Sequence, residues 1–348
     1  MKHVTKATIA LGLAASVAHA GGIQRDSDRS QLLFEDGTNY AEFSASYVFP
    51  NISGNFGPLN SGNMQKQYNN FAFGYKREVD DRLSFAMYVN EPVGANVAYS
   101  AVPGYPFATS NAEVNSLAVT GLVKYNVSDR FSAYGGLRVQ ALSGNVFVST
   151  AAYTLNVDKD YQVGYVVGGA YQVPDIALKV AMTYESAIEH DFVDNAGTPF
   201  QVEIPQALTL HAQSGVAKDT IVFGSVRWQE WTQFEIRPMD FAGGAIAIAS
   251  EPSDIITYEV GVGRRLNENW SGALTLGYEE DQGDIVGNLS GKDGFISYGI
   301  AAKYETADWD VTAGIKYIDV GSATTSSIGA NFTDNSAFAG GVKVGFRF

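Results

Sequence analysis

Four basic residues stand at alternating positions in segments that otherwise resemble β-strands, where their side chains would turn away from the apolar face. They are Arg138, Arg227, Lys316 and Arg347. Guanidinium and ammonium groups in such positions bind carboxylates through charge-assisted hydrogen bonds. The carboxylate could be the headgroup of a bound molecule or an acid of the chain itself, and the second is the commoner outcome. The matching acids are Glu185, Glu259 and Glu279.

Two histidines are the other candidates for chemistry, and both lack the partners that catalysis needs. His190 lies in a predicted loop between Glu189 and Asp191, and His211 lies in a predicted strand. Neither has a nucleophile and a carboxylate at the spacing of a hydrolytic site. One histidine with two adjacent acids forms a solvated loop more often than a metal site, which needs converging ligands. We therefore predict a protein that is not an enzyme and that binds neither a cofactor nor a metal.

Composition excludes several other classes of protein. The chain has no cysteine, which removes disulfide scaffolds and thiol chemistry. Its 23 basic residues against 37 acidic ones give a net charge of −14, so we predict no nucleic-acid partner. After residue 20, no apolar stretch approaches the roughly 18 residues of a membrane-spanning helix. A mean hydropathy of −0.06 fits a soluble domain, but it also fits a barrel whose strands alternate apolar and polar residues.

Residues 1–20 resemble a secretory signal peptide. Two lysines precede a short apolar run at residues 7–17, and Ala18-His19-Ala20 has the small residues that signal peptidase accepts. The alternative is an N-terminal helix of the folded domain. We predict cleavage before Gly21 and export to the outer membrane, the periplasm or the medium.

Alternation of apolar and polar residues continues to the C-terminus, where Phe346 and Phe348 share one face and Lys343 and Arg347 lie on the other. The pattern predicts fourteen strands, joined alternately by tight turns and by longer loops rich in Gly, Ser and Asn. Aromatic residues cluster beside the tight turns. The predicted strands cover residues 40–52, 66–78, 82–90, 113–126, 130–142, 161–173, 176–187, 203–214, 220–231, 255–266, 270–280, 294–305, 309–319 and 336–348.

This arrangement, with tight turns and both termini on one side and long loops on the other, is typical of outer-membrane β-barrels. We therefore predict an all-β fold, a transmembrane antiparallel barrel over residues 40–348 in the bacterial outer membrane, after a short segment at residues 21–39. Chance enrichment of aromatic residues in strands is the alternative explanation of their positions. The expected partners are outer-membrane lipid and, through the terminal Phe348, the barrel-assembly machinery.

Three stretches carry more specific motifs. Residues 204–210 read Ile-Pro-Gln-Ala-Leu-Thr-Leu, residues 225–234 read Ser-Val-Arg-Trp-Gln-Glu-Trp-Thr-Gln-Phe, and residues 89–99 contain Asn-Glu-Pro-Val-Gly. The first two are similar to a Pro-Gln-Ser/Ala-hydrophobic run and a Trp-x-x-Trp-Ser/Thr-x-Phe strand. The third resembles a Pro-Phe/Tyr-Gly segment, with Val93 in place of the aromatic residue. With these motifs, most of the mature chain resembles the FadL/TodX family of outer-membrane transporters for long-chain fatty acids and other hydrophobic compounds.

The resemblance implies a fourteen-stranded barrel that holds an N-terminal plug, the hatch. The family's Asn-Pro-Ala hatch motif is absent, so the hatch at residues 21–39 should be short, with Phe34 in the lumen near the periplasmic end. In the family, a kink in the third strand opens the wall laterally. By resemblance this opening lies near Pro92 and Gly94, although an ordinary strand end explains these residues equally well.

Apolar residues in two predicted loops complete the set of ligand-path candidates. Tyr105 and Phe107 follow the third strand, and Phe241 and Ile246 follow the ninth. Exposed apolar patches often bind ligands, but such loops can equally pack on themselves. We predict a passive outer-membrane channel for hydrophobic molecules, with a long-chain fatty acid as the expected ligand and release near the third strand. The alternatives are a structural or adhesive barrel that presents its loops, and a porin for polar solutes.

Overall fold

The computed structural model describes residues 22–26, 28–283 and 285–348, and the predicted signal peptide at residues 1–20 lies outside them. Within these ranges, fourteen antiparallel strands form a closed barrel, which confirms the predicted fold class. The strands are β1 (Asn39–Asn51), β2 (Tyr68–Glu78), β3 (Leu83–Asn90, continued by Gly94–Ala98), β4 (Asn111–Asn126), β5 (Phe131–Val148), β6 (Tyr153–Val173), β7 (Leu178–Glu185), β8 (Ala207–Ala217), β9 (Thr220–Gln229), β10 (Ile255–Arg265), β11 (Trp270–Glu279), β12 (Phe295–Glu305), β13 (Trp309–Val320) and β14 (Asn335–Arg347).

The barrel closes where the first strand meets the last. The pairing of β1 with β14 begins at Tyr40 opposite Arg347. At the end of this seam, Asn39 and Phe348 exchange backbone hydrogen bonds of 3.2 and 3.1 Å. Closure pairs both edges of the sheet, as lipid requires, because each unpaired backbone group there costs on the order of a few kcal/mol.

Side chains alternate between an apolar outer face and a polar inner face. In β14, Phe346 is 51% exposed and points outward, whereas Lys343 is 6% exposed and points into the lumen. Outward rings near the tight turns contact one another. Trp270 lies 5.1 Å from Tyr304, and Tyr304 lies 5.4 Å from Trp309, between ring centroids. Such a belt of amphipathic rings marks the membrane interface in barrels.

Two strands run much further than the sequence predicts. β5 continues to Val148 and β6 begins at Tyr153, whereas the predicted strands end at residue 142 and begin at residue 161. A register shift between Leu142 and Gly144 interrupts the alternation, and many polar residues follow, so the segment reads as a loop. The short 3-10 turn Ser149–Ala151 joins the two strands.

The connection between β7 and β8 is also structured. It folds as a hairpin in which Ile188–Val193 pairs with Pro199–Ile204. The strand predicted at residues 203–214 begins only at Ala207, because Pro205 has no N–H group with which to continue a ladder. Among the residues described, no helix is long and apolar enough to cross a membrane.

The described residues between 22 and 38 run inside the barrel, and we call them the plug segment. They include the 3-10 turn Ser30–Phe34. Its apolar side chains pack against inward-facing residues of the wall, with Leu33 fully buried and Leu32 and Phe34 only 4% and 9% exposed. At this level the lumen is filled by the N-terminal part of the chain itself.

Candidate functional site

A cavity opens inside the barrel between the plug segment and the long loops. Its empty volume is about 1290 Å³, including the mouth. Much of the lining comes from the extended ends of β5 and β6, from the hairpin between β7 and β8, and from the loop after β9. This size and lining suit an apolar molecule. The apolar lining includes Leu142, Leu155, Phe192, Phe200, Phe234 and Ile248.

Arg25 of the plug segment forms a charged edge of this cavity. The residue is 5% exposed. Its Nη1 lies 3.6 Å from a carboxylate oxygen of Glu91, and its guanidinium carbon lies 4.6 Å from the centre of the Tyr68 ring. Nε and Nη2 make no hydrogen bond with any residue that the structure describes. Burial lowers the pKa of Arg25, and the nearby Tyr68 and Glu91 only partly oppose that shift.

A second basic residue, Lys292, borders the cavity from the loop between β11 and β12. Burial lowers the pKa of its ammonium group, and the carboxylates of Glu251 and Glu279 act in the opposite direction. The cavity thus combines an apolar body with charged groups of both signs, the basic Arg25, Lys66 and Lys292 and the acidic Glu113 and Glu251. This combination can hold an apolar chain and pair with an anionic end group.

The wall beside the cavity is interrupted between β2 and β3. Backbone pairing of the two strands reaches Val89 of β3 and resumes only at Val97. On the other side of β3, residues 91–93 face only residues 116–117 of β4, so the strand carries a β-bulge at the same level. The barrel therefore has a gap in its ladder of hydrogen bonds next to the cavity.

At this gap the plug segment supplies the partner that β3 lacks. The Arg25 N–H group donates to the carbonyl oxygen of Pro92 at 2.9 Å, and the Gly94 N–H group donates to that of Ile23 at 2.7 Å. A Cβ atom on Gly94 would lie 2.4 Å from Nε of Arg25, so glycine lets the two chains approach. The candidates Pro92 and Gly94 lie together here, between the cavity and the outer surface.

Between the cavity and the tight turns, a buried group of charges crosses the lumen. Glu185 of β7 binds two arginines at once. Arg138 Nη2 donates to Oε1 at 2.5 Å, and Arg227 Nη1 donates to Oε2. The exposed fraction is 4% for Glu185 and 8% for each arginine. Two of the headgroup candidates are therefore paired with one acid of the chain.

The other two headgroup candidates also have acidic partners. Lys316 Nζ donates to Glu259 at 3.0 Å. Arg347 Nη2 donates to Glu305 and to Asp310, both at 2.9 Å. None of the four candidates appears in the lining of the cavity as the described residues form it.

Phe34 lies at the opposite end of the lumen from the cavity, near the tight turns. The ammonium groups of Lys124 and Lys179 are 4.8 and 5.0 Å from the centre of its ring, within the range of cation–π contacts. Tyr134 meets the same ring edge-on at 5.8 Å. Lys124 Nζ also donates to the carbonyl oxygen of Leu33 at 3.0 Å, so this end of the plug segment is anchored to the wall.

Three of the four loop candidates pack against other aromatic side chains, and the fourth is exposed. Tyr105 and Phe107 are buried in an aromatic cluster after β3. Phe241 packs on Tyr153 with 4.9 Å between ring centroids, and Ile246 is 60% exposed. Among the described residues that line the cavity, none of these four appears.

Both histidines lie close to aspartates. Nδ1 of His190 lies 3.0 Å from Asp160, within the hairpin region between β7 and β8. Nε2 of His211 lies 3.4 Å from Asp28 of the plug segment. Across the described residues, no three histidine or acidic side chains converge as metal ligands would.

Sequence reasoning missed the three basic residues that border the cavity, Arg25, Lys66 and Lys292. Arg25 could have been found, because it lies shortly after the predicted cleavage site before Gly21 and belongs to a segment expected to enter the lumen. Lys292 lies in a long loop without periodicity, and its sequence neighbourhood carries no signal for a cavity.

No protein-family model and no curated protein sequence matches the chain. Solved structures do match. A Pseudomonas aeruginosa FadL homologue is 14% identical, with a TM-score of 0.75 over 96% of this chain and 97% of that one. The Pseudomonas putida toluene transporter TodX is 11% identical, with a TM-score of 0.67 and the same coverage of 96% and 97%. The Ralstonia pickettii toluene transporter TbuX is 12% identical, with a TM-score of 0.66, again over 96% and 97%. By structure, over almost its whole length, the chain has the barrel fold of the FadL/TodX channels.

Proposed function

We propose that the chain is an outer-membrane channel that takes up hydrophobic molecules passively and releases them sideways into the lipid. The observation that carries this proposal is the contact between the cavity and the gap. Gly94, Asn96 and Val97 of β3 lie directly beyond the break in the strand, and they also line the cavity. A molecule in the cavity is therefore next to an interruption of the wall, with the membrane on the other side.

A straight path toward the tight turns is unfavourable for such a molecule. The plug segment fills the lumen there, and Glu185 with its two arginines lies in the way. Separating buried charges costs about 3–5 kcal/mol. Passage from an apolar cavity into lipid, in contrast, keeps the molecule out of water throughout. The sideways route therefore has the lower barrier.

Long-chain fatty acids are the ligand class that we propose. Their carboxylate can pair with Nε and Nη2 of Arg25 in the two-pronged geometry that guanidinium groups favour. Their alkyl chain can occupy the apolar lining. The structurally similar proteins from P. putida and R. pickettii are toluene transporters, so uncharged hydrocarbons are the second ligand class for this fold. Arg25 favours the anionic class.

The remaining features support the same role. The apolar outer face and the aromatic belt suit a bilayer, and the predicted signal peptide would direct export. Phe348, 71% exposed at the end of β14, would be available to the barrel-assembly machinery. In this proposal residues 21–39 serve as the hatch, residues 40–348 form the barrel, and the chain has no catalytic role.

Uptake by cells tests the proposal. A host that lacks its own channel for these compounds, expressing this chain, should import radiolabelled oleate or toluene faster than the same host with an empty vector. Conductance for ions or sugars without import of either probe would instead indicate a porin. Neither activity would indicate a barrel that presents its loops.

A pair of tryptophan variants on β5 shows whether uptake passes through the cavity. Val146 lines the cavity, whereas Val139 is 46% exposed on the outer face. Val146→Trp should lower uptake because the larger ring fills the cavity, and Val139→Trp should leave it unchanged. Equal uptake by the two variants would contradict the assignment of the cavity.

A further inference from the structure

Arg25 reaches across the gap between β2 and β3. Its guanidinium group stacks on Tyr68, the first residue of β2, at 4.6 Å, and it lies 3.6 Å from Glu91 at the break in β3. The side-chain amide of Asn70, also on β2, donates to the backbone carbonyl of Arg25 at 3.2 Å. One residue of the plug segment therefore contacts both edges of the gap.

The plug segment is held differently on the two sides. On the β3 side it makes strand-like backbone hydrogen bonds with Pro92 and Gly94. On the β2 side Arg25 holds it, through the Tyr68 ring and the Asn70 amide. If the guanidinium group moves, the β2 edge loses the ring contact while the β3 edge keeps its backbone bonds.

The side-chain contacts of Arg25 are weak enough to exchange for others. The distance of 3.6 Å to Glu91 exceeds that of a hydrogen bond, and a stacked ring contributes only modestly. Nε and Nη2 are buried without a hydrogen-bond partner among the described residues, and Arg25 borders the cavity. A carboxylate in the cavity would offer these two groups a charge-assisted pair that is stronger than either existing contact.

We propose that Arg25 selects which ligands leave through the gap. In the empty channel its guanidinium group closes the gap against Tyr68 and Glu91. A carboxylate in the cavity binds Nε and Nη2, draws the guanidinium group off the Tyr68 ring, and lets the edges of β2 and β3 separate. An uncharged hydrocarbon has no group for this exchange and leaves more slowly. This step rests on the proposed uptake function and adds a selective residue to it.

Uptake of oleate and of toluene by an Arg25→Ala variant tests the selection. Without the side chain, toluene uptake should rise roughly tenfold, the factor that corresponds to one well-placed cation–π contact, and the preference for oleate should disappear. Arg130→Ala, on an exposed turn, is the matched control and should behave as the wild type. Unchanged or reduced toluene uptake by Arg25→Ala would overturn the proposal, even if oleate uptake falls.

Amide hydrogen exchange measures the gap without reference to transport. The Lys66 N–H group donates to the carbonyl oxygen of Asn96 at 2.9 Å across the gap. In the peptide that covers residues 63–70, exchange should increase roughly tenfold in Arg25→Ala and in wild type with oleate, because the local opening then requires less free energy. Toluene should have no effect, and the seam between β1 and β14 should not change. Equal exchange with and without oleate would overturn the proposal.

The two readouts separate the possible failures. If the wild type imports neither probe, the proposed function is wrong, and the exchange data alone decide whether Arg25 closes the gap. Barrel assembly of each variant is checked by its heat-modifiable migration in SDS gels. If Arg25→Ala does not assemble, Glu91→Gln replaces it, since this change weakens the hold on β3 and leaves Arg25 in place. It should raise toluene uptake in the same direction, and no rise would overturn the proposal.

Discussion

Replacing Glu185 with glutamine tests whether the charges inside the lumen stabilise the barrel. Both carboxylate oxygens of Glu185 are in use, one by Arg138 at 2.5 Å and the other by Arg227. Glutamine keeps the shape of the side chain, but it has one acceptor oxygen and no charge. The variant would leave two buried guanidinium groups facing each other without the acid that neutralises them.

Burial decides the size of the effect. Removing one partner from a buried ion pair costs about 3–5 kcal/mol, whereas an exposed pair contributes about 0–1 kcal/mol. The matched control is Glu259→Gln, since Glu259 pairs with Lys316 at 3.0 Å but has a side chain that is 34% exposed. We expect the free energy of unfolding to fall by about 3 kcal/mol for Glu185→Gln and by less than about 1 kcal/mol for Glu259→Gln.

Urea unfolding of the barrel in lipid vesicles measures both values, with the fluorescence of the 4 tryptophans as the signal. Unfolding and refolding curves must coincide for the free energies to be defined. A loss below about 1 kcal/mol for Glu185→Gln, or equal losses for both variants, would refute the argument from burial.

Three further predictions concern the plug segment and the gap. Deleting residues 23–36 should raise leakage of small solutes from liposomes because these residues fill the lumen, and unchanged leakage would show that something else seals it. Gly94→Val should raise toluene uptake, because a Cβ on Gly94 would lie 2.4 Å from Nε of Arg25 and would push the guanidinium group away. The control is Gly121→Val, since a Cβ on Gly121 meets nothing within 4 Å, and equal uptake by the two variants would argue against this role of Gly94. Burial raises the pKa of Asp28, but the nearby His211 and the hydrogen bonds from Ser30 outweigh it and place the pKa below the ordinary 3.8. The charged form therefore stabilises the plug above about pH 4, and this contribution is lost as the pH falls through the lowered pKa. Urea titrations at several pH values should show a smaller acid-induced loss for Asp28→Asn than for the wild type.

The barrel could be predicted from the sequence because every strand has one face in lipid. Outward apolar residues such as Phe346 must then alternate with inward polar residues such as Lys343. This two-residue period does not depend on what else the strand contacts. The prediction failed where that constraint ends. Beyond Leu142 a register shift breaks the alternation, so Val146 and Leu155 line the cavity from a segment that reads as a loop.

The candidate site was less predictable, since its contacts join residues that are distant in sequence. Alternation places Arg138 and Arg227 in the lumen, but it does not say how far along the barrel axis each side chain lies. Both arginines bind Glu185 only because of the register of the three strands that carry these residues. The role of Arg25 depends on the path of a segment without periodic structure. Such a path is set by packing against the finished wall.

The height of the gap in the wall has a consequence for where a ligand would go. The first part of β3 spans 8 residues from the tight turn to the break. At roughly 3.3 Å per residue and a tilt of about 40°, this length rises about 20 Å through an apolar band that is about 25 Å tall. With the tight turns on the periplasmic side, as the proposed function requires, the gap would face the outer leaflet, and the channel would carry its ligand past the polysaccharide layer but not across the bilayer. Transfer to the inner leaflet would then take place in the lipid itself, at a rate set by the membrane.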